Sequence, residues 1–77
     1  MKRKYHGWII AEDGGPGFKD SIHTEWQDEQ GRHQEHVGYG NSGCAKAVEW
    51  WDEKVGGNIK LEPLFQGSYR VYTEVAE

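Results

Sequence analysis

The sequence predicts an α+β fold: an antiparallel sheet, in the order β-β-β-α-β-β, with one helix packed on one face. Three observations lead there. Five short segments read as strands, the clearest with period-two segregation of apolar and polar residues. One segment, ending near Val55, repeats with the helical period instead. That segment follows three strands rather than alternating with them, which argues against a parallel α/β sheet. At 77 residues the chain forms one small domain over residues 1–77. A chain of this length buries only about 60–65% of its unfolded surface, so the core is small.

The first strand is expected over Tyr5–Ala11. Trp8 and Ile10 fall on one face, Tyr5 and Ile9 on the other, and bulk on both faces suits a central strand. Gly14-Gly15-Pro16-Gly17 breaks the chain. Phe18–Asp28 is the cleanest strand, with Phe18, Ile22 and Trp26 on one face and Lys19, Ser21, His23, Glu25 and Gln27 on the other. Asp28-Glu29-Gln30-Gly31 reads as a type I turn closed by glycine. Arg32–Tyr39 returns as a polar strand, which suits a sheet edge.

Asn41 and Ser42 are the expected helix caps, and Gly56-Gly57 the expected stop. Cys44, Val48, Trp51 and Val55 share the apolar stripe that should face the sheet. Trp50 lies about 160° round from Val48 and is expected to face solvent. Asn58–Phe65 follows as a strand whose Pro63 cannot donate a ladder bond, again an edge signal. Tyr69–Val75 is the last strand, with Tyr69, Val71, Thr73 and Val75 opposed to Arg70, Tyr72 and Glu74.

Composition narrows function. Four Trp, four Tyr and two Phe argue against disorder. A single Cys excludes an internal disulfide framework and a Cys-based zinc ribbon. The formal net charge of -4 speaks against direct nucleic-acid binding. No apolar run approaches a membrane span, and the basic start Met1-Lys2-Arg3-Lys4 has only a short apolar stretch behind it, so a cytoplasmic protein is expected. Between Glu12 and Glu35 stand seven acids (Glu12, Asp13, Asp20, Glu25, Asp28, Glu29, Glu35) against Lys19 and Arg32. That stretch serves either solubility or an electrostatic surface for a basic partner.

No catalytic set assembles from the sequence. Cys44 sits near a helix start, where thiols are activated, but also on the apolar stripe, where a small buried hydrophobe is the simpler reading. His33 and His36 lie three apart, which on a strand puts them on opposite faces and separates them as metal ligands. The carboxylate pairs Glu12/Asp13, Asp28/Glu29 and Asp52/Glu53 lie in polar settings that would not raise a pKa. Neither a metal nor a cofactor is expected. Trp50 and Tyr72 are the aromatics without a core role, and such residues anchor protein interfaces.

A short, acidic, cysteine-poor α+β chain with surplus aromatics resembles the small phage-encoded inhibitors of host nucleic-acid machinery, anti-CRISPR proteins among them. The layout Tyr5–Ala11, Phe18–Asp28, Arg32–Tyr39 and the Ala45-Lys46-Ala47-Val48-Glu49 helix also resembles HicB-type antitoxins, without their proline-glycine-cysteine segment before the helix. The expectation is a non-enzymatic protein-binding module that covers a basic surface of its partner. The residues expected to carry contact are Glu25, Asp28, Glu29, Glu35, Trp50, Glu53 and Tyr72. The alternatives are a regulatory homodimer paired through an edge strand, and a small Cys/His enzyme or metal site.

Overall fold

A computed structural model describes residues 1–76 of the chain. It contains five strands, β1 (Lys2–Glu12), β2 (Ser21–Asp28), β3 (Gly31–Tyr39), β4 (Lys60–Pro63) and β5 (Tyr69–Val75), and one helix, α1 (Gly40–Val55), between β3 and β4. The strands form one sheet in the order β3-β2-β1-β5-β4, with every neighbouring pair antiparallel. β1 is central, as its two bulky faces implied. The polar β3 and the proline-ended β4 are the edges.

Several boundaries differ from the sequence expectation for physical reasons. β1 begins at Lys2, not Tyr5, because Lys2, Arg3 and Lys4 find ladder partners in Val75, Glu74 and Thr73. β2 begins at Ser21, not Phe18. The Gly-rich loop turns back with positive φ at Gly15 and Gly17, and the Phe18 amide donates to the Gly15 carbonyl at 3.1 Å. Phe18 is therefore left 77% exposed rather than in the core. β4 spans only Lys60–Pro63, since Asn58 takes a left-handed φ of 61° before it and a turn through Gln66 and Gly67 follows it.

The helix begins earlier than expected. The Gly40 amide donates to the Asp20 carbonyl at 2.9 Å, so the chain turns at once after β3. Tyr39 is the cap residue, and Asn41 and Ser42 lie inside the first turn. The Ser42 hydroxyl donates to the Tyr39 carbonyl at 3.1 Å. At the other end Gly56, with φ 96°, and Gly57 both donate to the Asp52 carbonyl, which closes the last turn.

The helix also sits rotated from its expected seam. The buried stripe is Gly43, Ala47 and Trp51, while Val48 is exposed and Cys44 and Val55 are only half-buried. At 100° per residue the centre of the stripe has moved by about 70°. Close approach explains the shift. A Cβ on Gly43 would stand 2.7 Å from the Gly38 carbonyl carbon and 2.9 Å from Ile22 Cγ1. The helix therefore nests its smallest residues on β2 and β3, where a more hydrophobic but bulkier stripe would hold it off.

That seating sends Trp51 across to the central strand. Its ring covers Gly7, where a Cβ would lie 2.6 Å from the indole, and its Nε1 donates to the Trp8 carbonyl at 3.2 Å. Ile9, Ile22, Ala47, Trp51 and Val71 form the core. Thr24 is buried among them, with its hydroxyl 3.4 Å from the Glu35 carbonyl.

Candidate functional site

Paired residues of antiparallel strands share a face, so the ladder assigns every side chain to the covered or the open side of the sheet. Gly7, Ile9, Ile22, Thr24, Trp26 and Val71 point to the helix side. The other side has no layer over it, yet it carries Trp8, Ile10 and Tyr72. A bulge adds Tyr5. Tyr5 pairs with Tyr72 and Gly7 pairs with Val71, leaving His6 as the extra residue. Tyr5 is thereby placed beside Trp8, and not with Ile9 as strict alternation implied.

This open face is built as an aromatic and arginine lattice. The Tyr5 and Tyr72 rings are 5.8 Å apart. The Arg70 guanidinium lies 3.9 Å from the centre of the Tyr5 ring and 5.9 Å from that of Trp8. Arg3 lies 4.2 Å above Tyr72, and Arg32 lies 5.7 Å from Trp8. Acids interleave with the bases: Arg3 meets Glu62 at 3.6 Å, Arg32 meets Glu25 at 3.8 Å, and Lys60 meets Glu74 at 3.5 Å. Arg70 has no carboxylate within 4 Å among the described residues. The face continues to His23 and His36, whose rings are 5.1 Å apart, and on to Tyr39, 4.8 Å from His36.

A second aromatic group lies on the helix side, at the end where the β2–β3 hairpin turns. Trp26 stacks on His33 at 5.4 Å and meets Trp50 at 5.1 Å, and Trp50 meets Trp51 at 5.0 Å, edge to face. Trp50 is thus half-buried against the core and does not face solvent, which corrects the sequence expectation. The helix rotation described above places it about 60° from the buried stripe, the same offset as Cys44 on the other flank. At the hairpin tip Asp28 accepts from the Gln30 amide at 2.8 Å and contacts His33 Nε2 at 2.9 Å. The His33 hydrogen bond, then the Gln30 amide, hold its carboxyl below the ordinary range.

The residues expected to carry contact therefore separate. Glu25 and Tyr72 belong to the open face, where Glu25 is paired with Arg32 and Tyr72 is 8% exposed under Arg3. Asp28 and Glu29 sit at the hairpin tip. Glu35 lies on the helix side of the edge strand, opposite Thr24, and Glu53 is exposed on the helix. They do not form one acidic patch. Sequence reasoning missed Trp8, Tyr5 and Arg70. The signal for Trp8 was present, since a sheet with one helix leaves one face bare and β1 carried bulk on both.

Two adjoining clefts of about 620 and 520 Å³ lie beside the Gly-rich loop and the start of α1, sharing Phe18, Lys19 and Ser42. Cys44 lines the second, and none of the four histidines lines either. His33 and His36 do lie on opposite faces, paired with Trp26 and His23. Among the described residues no group of three or more His, Cys, Asp or Glu is placed to hold a metal ion, and no helix is long and apolar enough to cross a membrane. No protein-family model matches the chain, no curated protein is similar to it, and no solved structure resembles it.

Proposed function

We propose that the chain is a non-enzymatic protein-binding module that acts by covering a partner's surface, and that it docks through the helix-free face of its sheet. The observation that carries this reading is the helix-free cluster of exposed Tyr5 and half-buried Trp8, seated beside buried Tyr72, with Arg3, Arg32 and Arg70 laid against the rings. Tyr, Trp and Arg are the residues that dominate interface energetics. Here they stand on paired strands and are held by one another, so little side-chain freedom is lost on docking. The interleaved Glu25, Glu62 and Glu74 favour protein over nucleic acid, because a phosphate chain would meet them alongside the arginines.

The net charge of -4 favours a basic partner through faster encounter. An inhibitor of a nucleic-acid-handling protein, as the resemblance to small phage-encoded inhibitors implies, is the form of this reading that suits such charge. Photo-crosslinking tests it. A benzophenone side chain in place of Tyr5 should capture one defined protein from lysate, and the same group in place of exposed Val48 on the helix should not. Equal capture from both positions would contradict the assignment of the face.

A further inference from the structure

The inward stripe of α1 runs Gly43, Ala47, Trp51, and the next position on it is Lys54. A cation stands where the period would place an apolar side chain. Among the described residues Lys54 has no carboxylate within 4 Å. Its ammonium rests on two indoles, 4.0 Å from the centre of the Trp26 ring and 4.7 Å from that of Trp50. Those rings are backed by His33 on one side and Trp51 on the other, so strand and helix both fix the platform. A cleft of about 370 Å³ opens beside it, lined by His6, Trp26, Gln27, Trp51, Lys54 and Val55.

We propose that the Trp26–Trp50 platform is a receptor for a cationic side chain, a lysine or arginine of a basic partner protein, and that Lys54 occupies it until that side chain arrives. The site already holds an ammonium in the geometry that aromatic surfaces use to recognise alkylammonium ligands. Lys54 is exposed, its stem is flexible, and the contact is of the weaker, solvated kind, so exchange is easy. Charge complementarity points to a cation. Asp28 lies 2.9 Å from His33 Nε2, and the His33 ring stacks on Trp26, so a carboxylate stands behind the platform. This site lies across the sheet from the proposed docking face and stands independently of it.

The test needs no partner protein. Capped trimethyllysine, capped lysine and the uncharged tert-butyl isostere of trimethyllysine are titrated against the native chain and Lys54→Met, following the four indole N–H signals by NMR. In Lys54→Met the Trp26 and Trp50 signals should shift saturably with trimethyllysine, while Trp8 stays still. Binding to the native chain should be about three- to sixfold weaker, because Lys54 competes through a solvated cation–π contact, and capped lysine should rank below trimethyllysine. Lys54→Gln repeats the measurement should methionine disturb the fold. Equal shifts with the isostere, or no saturable shift in either folded variant, would overturn the receptor. Equal affinity in native and variant chains would overturn the place-holding role of Lys54.

Discussion

The two faces of the sheet solve opposite problems with the same residue types. On the covered face, small residues let a helix approach closely, and one tryptophan, Trp51, fills the space over Gly7 and is 2% exposed. On the open face, the aromatics have no layer above them and are braced sideways by arginines, with Tyr5 left 40% exposed. Aromatic burial on the first face is an energetic necessity for a chain with so small a core. On the second, Tyr5 and half-buried Trp8 keep exposed area, while Tyr72 lies under Arg3. The difference suggests that stability and binding are separable in this molecule.

Trp51→Ala should have the largest effect on stability. Truncating a buried tryptophan typically costs about 3–5 kcal/mol, and a denaturant melt should show most of the stability of a small domain lost. Gly43→Ala comes next. The added methyl meets the Gly38 backbone, which cannot rotate away as a side chain would, and a cost of about 1–3 kcal/mol is expected from overpacking. On the open face, Trp8→Ser should lower stability by about 1–2 kcal/mol, less than Trp51→Ala because Trp8 is only half-buried. Its larger effect should be on partner affinity, a loss of tenfold or more by titration calorimetry.

The smallest effect concerns pH. Burial, with Lys4 adding to it, holds the His6 imidazole below its ordinary pKa. The unfolded chain then accepts a proton that the folded chain resists. Stability should be full above about pH 6.5 and fall as the pH drops through that value. His6 contacts Thr73 Oγ1 at 2.9 Å on the covered side, so His6→Gln should flatten the decline seen in thermal melts from pH 7.5 to 5. An undiminished slope in that variant would remove His6 as its cause.

Much of the scaffold was legible in the residues. Alternation placed Tyr69–Val75 within its observed bounds, Pro63 and the polar Arg32–Tyr39 run marked the edges, and Gly56-Gly57 marked the helix end. The helix seam was not legible, because Gly43 and Ala47 carry little hydrophobic signal. Their contribution is the absence of volume, which matters only once Gly38 and Ile22 are opposite. The position of Tyr5 was hidden for a related reason. A single extra residue at His6 reverses alternation, and nothing in Lys4-Tyr5-His6-Gly7 announces it. Both errors moved aromatics: Trp50 inward and Tyr5 onto the open face.

The separability of the two faces can be measured in one doubly substituted chain, Trp8→Ser with Arg70→Ser, assayed for melting temperature and for affinity toward the protein captured at position 5. The expected result is a melting temperature within about 16 °C of the native chain, the shift of about 2 kcal/mol in a domain of this size, together with an affinity loss of at least tenfold. Native affinity in the folded double variant would contradict it, and so would a collapse in stability as large as that of Trp51→Ala.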